Sequence, residues 1–167
     1  MNIEVITIKE EIKIVGLSYL LMNLPGTLES LNDMWKMYGE KYRGKVSNAA
    51  TPPIDYGVNA NNLGERHEYI AGCAVTQIGR LDVNWACYIV PPGQYIKHTR
   101  QKMSELFEHE SDVKAWADAN NIKIDDNFMV EVYPAGAFED GGVEVYTLHP
   151  ITCGFGKSDK SFQSHIE

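Results

Sequence analysis

No run of apolar residues in this 167-residue chain approaches the roughly 18 that cross a bilayer as a helix. The opening residues Met1-Asn2-Ile3-Glu4-Val5 alternate like a strand, with neither a basic segment nor an apolar one behind it. A secretory signal is therefore not expected, and a cytoplasmic location is the default. Cysteine is scarce. Cys73, Cys87 and Cys153 are odd in number and none stands in a Cys-X-X-Cys pair, so a redox or metal role is not indicated. Cys73 and Cys87 lie in apolar stretches and read as small core residues. The five histidines, His67, His98, His109, His149 and His165, show no spacing typical of a zinc site, and no metal is expected. A Gly-X-Gly-X-X-Gly motif and a phosphate loop are absent, and no cofactor is called for. No Ser or Cys nucleophile with a neighbouring base stands out.

Positive charge is also in short supply. Lys and Arg total 15 against 23 Asp and Glu, a formal charge of −8. Such a field repels phosphate backbones, so direct nucleic-acid binding is not expected. It favours a cationic partner, although the same charge also serves plain solubility. What the chain has in normal measure is apolar content, 44%, enough to bury a core at this length without disulfides or metals.

The apolar pattern changes period along the chain. Residues 3–22 read as one or two strands with a break near Lys9-Glu10, and Gly16 marks a candidate bulge. Pro25-Gly26-Thr27 opens a helix to about Tyr42, with Thr27 as N-cap and Leu28, Leu31, Trp35 and Tyr38 as its apolar stripe. After the breakers Gly44 and Pro52-Pro53, Ile54–Val58 and Glu68–Gln77 read as strands joined by a polar turn, Asn59 to Gly64. The order then recurs. Trp85–Val90 is a strand, Pro91-Pro92-Gly93 a tight turn and Gln94–His98 a second short strand. Lys102–Asn120 is a helix with apolar positions Met103, Leu106, Phe107, Val113 and Ala117. Asn120-Asn121 closes it in the left-handed conformation. Phe128–Tyr133 and Val143–Leu148 are strands joined by a connection containing Gly136, Gly141 and Gly142.

Strand, helix, strand, strand thus occurs twice, over residues 3–78 and 84–150. The expected fold is α+β: a tandem repeat of two βαββ units sharing an antiparallel sheet, with helices on one face and a central ligand groove between the halves. Residues 152–167 are polar and aperiodic and read as a tail outside the domain of residues 1–151.

Strand alternation puts Met129, Glu131 and Tyr133 on one face of their strand. Phe128, Val130 and Val132 fall on the other, which suits packing under helices. A carboxylate between a Met and a Tyr is costly to bury without a partner. A bound cation supplies one, and aromatic faces add cation–π attraction. Tyr56, Tyr69 and Trp85 lie in strands near the expected groove. Trp35 and Trp116 lie on helices and read as packing residues. Glu68 and Glu144 read as the solvated side of their strands.

Four stretches then carry a resemblance: Glu11-Ile12-Lys13-Ile14-Val15-Gly16, Glu68-Tyr69-Ile70-Ala71-Gly72-Cys73-Ala74-Val75, Val90-Pro91-Pro92-Gly93-Gln94-Tyr95 and Met129-Val130-Glu131-Val132-Tyr133. In that order, over about residues 1–151, they resemble the effector-binding domain of AraC- and MerR-type multidrug-sensing regulators. That domain also occurs alone in the gyrase-inhibitory-protein-like family. The resemblance implies a central pocket in which an acidic residue meets positively charged aromatic compounds. Glu131 matches that residue, with Tyr133, Trp85, Tyr56, Tyr69 and Met129 as candidate ligand-binding neighbours. The regulators carry a helix-turn-helix module ahead of this domain, and here the first strand begins at once, so direct transcriptional control is not expected. Two further classes stay open: a hydrolase of reactive drug-like molecules with Glu131 as general base, and a protein-interaction module.

Overall fold

The structure is a computed structural model that describes residues 2–22, 30–63, 66–139 and 142–152. The expected N-cap Thr27, Leu28, Gly64, Gly141, Cys153 and the tail from residue 153 lie outside the described residues.

Eight strands form one sheet: β1 (Ile3–Ile8), β2 (Ile12–Ser18), β3 (Asp55–Leu63), β4 (Arg66–Val75), β5 (Trp85–Val90), β6 (Gly93–Arg100), β7 (Phe128–Tyr133) and β8 (Val145–Pro150). Their order across the sheet is β1-β6-β8-β7-β3-β4-β2-β5, and every pairing is antiparallel. The order is symmetric about the β7–β3 seam. The four strands on one side correspond to the four on the other, as the tandem-repeat reading expects. Each half opens with an extra strand that crosses over: β1 pairs with β6 of the second half, and β5 with β2 of the first.

The sheet is strongly curled. Tyr88 on β5 and Phe128 on β7 have ring centroids 5.6 Å apart although three strands lie between them. In a flat sheet that separation would approach 19 Å, four times the strand spacing of about 4.8 Å. The curl brings one sheet face onto itself. Ile14, Tyr56, Val58, Ile70, Tyr95, Phe128, Val130 and Val132 form a core there. Phe128, Val130 and Val132 therefore need no helix to cover them, which corrects the expectation that they pack under helices. Gly16 and Gly72 face each other across β2 and β4, and a Cβ on either would run into the other strand's backbone. Here Gly16 allows a close approach of strands within a continuous register.

The helices lie on the other face, the one that carries Glu131. Helix α1 (Tyr19–Met22) is a single turn, and α2 (Leu31–Met37) runs on through a π turn, Tyr38–Tyr42, and a 3-10 turn, Arg43–Lys45. Helix α3 spans Glu110–Ala119. Met34 and Tyr38 of the α2 segment pack on Leu17, Ala71 and Cys73. Val113 and Ala117 of α3 pack on Ile96. Of the expected stripe, Tyr38 is fully buried in this core, Trp35 is half-buried against it and Leu31 is exposed. The flank of Leu31 and Trp35 also lines a cavity. Ser30 caps α2, its Oγ accepting from the Asp33 amide at 3.3 Å. Ser30→Ala should cost about 1 kcal/mol and lower the melting temperature by about 2–4 °C, which a circular-dichroism melt would read.

Two boundaries move for physical reasons. The second helix begins at Glu110 because Lys102–His109 is taken up by a 3-10 turn (Met103–Glu105) and by His109 at φ 60°. It ends as expected, with Asn121 at φ 57°. Strand β3 continues through the expected turn at Asn59, because Asn59 pairs with Tyr69 on one side and Met129 on the other.

Candidate functional site

Between α2 over β4–β2 and α3 over β6–β1, the segments of Leu106 and Ala137 pack over the sheet on Tyr133 and Val145. A cavity of about 770 Å³ opens there, within the size range of small-molecule pockets. Its floor is Tyr69, Glu131 and Tyr133, and beside it stand Leu106 and a group in mutual contact, Trp35, Phe138 and Arg43 from the α2 segment. Leu31, Met103, Phe107 and Phe138 are all part-exposed at its mouth.

Glu131 is 1% exposed, and its carboxylate is held by three neutral donors. The Tyr69 hydroxyl donates to Oε2 at 2.6 Å, the Tyr133 hydroxyl to Oε2 at 2.8 Å and the Asn59 amide to Oε1 at 3.0 Å. Tyr69 in turn accepts from the Trp35 indole at 2.8 Å. Among the described residues no Lys or Arg forms an ion pair with Glu131. Arg43 lines the same cavity but is bound to Asp55 at 2.7 Å and stacks over Tyr38 and Phe138. Desolvation pushes the Glu131 carboxyl above the ordinary carboxylate range, against the three hydrogen bonds that favour the anion. Burial and the neighbouring Glu131 charge likewise raise both tyrosines.

The space for this carboxylate comes from Gly57, its cross-strand partner on β3. A Cβ there would collide with Glu131 Oε2 and the Tyr69 hydroxyl. The ring cluster is tight. Trp35 stands edge-on to Tyr133 at 5.1 Å and to Tyr69 at 6.5 Å, and tilted against Phe138 at 5.3 Å.

Of the six residues singled out in the sequence, three meet at the cavity: Tyr69, Glu131 and Tyr133. The other three do not. Tyr56 alternates with Asp55 and Gly57, so it points into the core on the opposite sheet face. Trp85 shares the face of Glu131 but sits on the edge strand β5, four strands from β7, packed against Tyr42 at 6.1 Å. Met129 shares strand and face with Glu131 yet lines a different cavity, beside α3.

Sequence reasoning missed Trp35, Asn59, Gly57 and Phe138. Trp35 does pack against buried residues, as its helix position suggests, but its indole also donates to Tyr69 at the cavity. Asn59 carries a turn signal, yet its amide is spent on the carboxylate. Glu68, expected in solvent, is buried and accepts from Ser18 Oγ at 2.6 Å and from the Leu20 amide at 3.1 Å at the start of α1. Glu144 is exposed, as expected. Cys73 is buried, whereas Cys87, on the edge strand, is exposed.

Comparison with known proteins fits this architecture. The family model described as Cass2, integron-associated effector binding protein, matches residues 5–147. Three solved structures share the fold. An integron cassette protein from the mobile metagenome of Vibrio cholerae is 14% identical, with 89% of this chain and 95% of that one aligned at a TM-score of 0.55. The C-terminal domain of EcmrR is 11% identical, over 90% and 96%, at 0.62. SAV2435, solved bound to tetraphenylphosphonium, is 13% identical, over 92% and 95%, at 0.64. Identities this low speak for the fold alone. No curated protein matches the sequence. Among the described residues no helix is long and apolar enough to cross a membrane, and no cluster of three metal-binding side chains occurs.

Proposed function

The chain belongs to the family of integron-associated effector binding proteins, and from that membership and the cavity above we propose that it binds lipophilic organic cations, with Glu131 as their counter-ion. One observation carries the reading: a fully buried carboxylate, satisfied among the described residues by neutral donors, facing an open cavity lined by aromatic rings. A buried anion without a countercharge costs several kcal/mol in desolvation, which hydrogen bonds offset only in part. An incoming cation restores the missing charge, and the faces of Trp35, Tyr133 and Phe138 add cation–π attraction of about 0.5–2 kcal/mol.

The hydrogen bonds also set the type of cation. A carboxylate has about four acceptor positions, and three of them are taken. With Oε2 doubly occupied, a guanidinium cannot form its two-pronged pair. Dispersed charge without N–H donors, as in quaternary ammonium or phosphonium ions, suits the site better. Tetraphenylphosphonium, the ligand in the SAV2435 structure, is thus a suitable probe. Calorimetric titration should show it binding at least tenfold more tightly than neutral triphenylphosphine oxide. Equal affinities would sink the proposal.

Binding should also depend on pH in a set direction. The cation needs the ionised carboxylate, and burial raises the Glu131 pKa. Affinity should therefore fall as pH drops through that raised pKa, approaching tenfold per pH unit below it. The empty protein should move the opposite way. Folded Glu131 holds its proton more tightly than the unfolded chain does. Its contribution to stability is therefore most favourable at low pH, and it declines as pH rises from the ordinary glutamate range to the raised pKa. Titrations in two buffers of different ionisation enthalpy would reveal the proton released on binding.

A further inference from the structure

A second cavity, of about 460 Å³, lies on the same sheet face. Its floor is Met129 and His149, and its wall is the flank of α3 with Ile122 and Ile124. Met129 is two residues before Glu131 on β7, so the two side chains share a face about 7 Å apart along the strand. Their cross-strand neighbours on β3, Asn59 and Gly57, continue the same floor. Both cavities lie over the strip of sheet between α2, which covers β4–β2, and α3, which covers β6–β1. The larger lies at the Tyr133–Glu131 end of the strip and the smaller at its Met129 end. Glu110, at the head of α3, lines the smaller cavity, and its charge is felt at Glu131 in the larger.

The chemistry of the second cavity differs from that of the first. Its interior surfaces are apolar: Met129, Val113, Ala117, Ile122 and Ile124. Charges of both signs line its rim, Glu110, Asp118 and Asp126 against Lys114 and Lys123. Lys114 is bound to Asp118 at 3.1 Å. His149 adds no charge near neutrality, since burial pushes its imidazole down to about 4. Among the described residues that line it, no anion is buried to hold a second cation.

We propose that the α3 cavity is a second compartment of the Glu131 groove and receives the apolar arm of an elongated amphipathic cation, such as a long alkyl chain or an extended aromatic substituent. The inference rests on the cation reading above and adds the shape of the ligand: a compact charged head over Glu131 and a straight apolar arm along β7 over Met129.

Alkyltrimethylammonium ions with hexyl, octyl and decyl chains, kept below their micelle concentrations, test it beside benzyltrimethylammonium as a short reference. In the wild-type protein, affinity should rise about threefold to fourfold per methylene once the chain reaches the second compartment. Ile122→Trp fills that compartment and should flatten the dependence on chain length while leaving benzyltrimethylammonium binding unchanged. Ile122→Ala leaves it open and should keep the dependence. The Met129 methyl resonance of the wild-type protein gives a second readout that needs no variant: it should shift with the decyl ion and stay still with the benzyl ion. A length dependence that survives Ile122→Trp, or a Met129 methyl that ignores the decyl ion, would overturn the proposal and send the arm out past Phe107. Failure of benzyltrimethylammonium itself to bind would instead strike the cation reading on which this one rests.

Discussion

Glu131→Gln should weaken binding of a lipophilic cation by about 2–4 kcal/mol, or roughly 30- to 1000-fold in the dissociation constant. The substitution keeps the shape of the side chain and removes its charge. The Tyr69 and Tyr133 hydroxyls can still donate to the amide oxygen, and a turn of the Asn59 side-chain amide lets its oxygen accept from the new NH2 group. What disappears is the Coulomb term between two charges in a space shielded from water, where it is least screened. The affinity for triphenylphosphine oxide, which has no charge to lose, should change little. The empty variant should melt at a higher temperature than wild type above the raised pKa of Glu131, because a costly buried anion is gone. That gain should shrink as pH falls and the wild-type carboxyl takes up its proton. Titrating both proteins with both ligands closes the cycle. If wild type and variant bind the cation alike, Glu131 is not the counter-ion.

Much of this site is written locally in the chain, and what is not local was not legible. Phe128-Met129-Val130-Glu131-Val132-Tyr133 alternates cleanly, so the shared face of Glu131 and Tyr133 follows from strand geometry alone. Which side of the sheet that face occupies does not follow. The side is decided by the curl, which lets the opposite face pack on itself through Tyr56, Tyr88, Tyr95 and Phe128. An alternating strand looks the same whether a helix or a folded-over sheet covers it. The same ambiguity displaced Tyr56 and Trp85, whose strands were legible but whose places across the sheet were not. Strand order is set by pairings such as β5 with β2 and β7 with β3, which link segments about 70 residues apart in the chain. Asn59 and Trp35 were missed for a related reason. Each has a common local meaning, turn and core, and a functional one that exists only once Glu131 and Tyr69 are brought beside it. The seam symmetry, by contrast, was legible because the same order of elements occurs twice along the chain.

Gly57→Ala should strike binding and stability together, although it adds one methyl group to a residue with no special backbone conformation. The cause is the space it occupies. An added Cβ collides with Glu131 Oε2 and with the Tyr69 hydroxyl. Ordinarily the ends of side chains can swing aside. Here both are fully buried and bonded to each other, and the tyrosine ring is fixed further by the Trp35 indole. If the carboxylate moves, it loses good geometry with Tyr69, Tyr133 and Asn59 at once. If Tyr69 moves, it loses Glu131 and Trp35. Overpacking of this kind costs about 1–3 kcal/mol of folding stability. A carboxylate displaced by even an ångström, or left with an unsatisfied partner, should cost the cation at least tenfold in affinity. The origin of the effect can be isolated. In a Tyr69→Phe/Glu131→Ala background both colliding oxygens are gone, and adding Gly57→Ala should then cost almost nothing in a denaturant titration. The difference between the two backgrounds measures the clash as a coupling energy. An equal penalty in both would place the cost in strand β3 itself, and Gly57 would no longer count as the residue that makes room for the carboxylate.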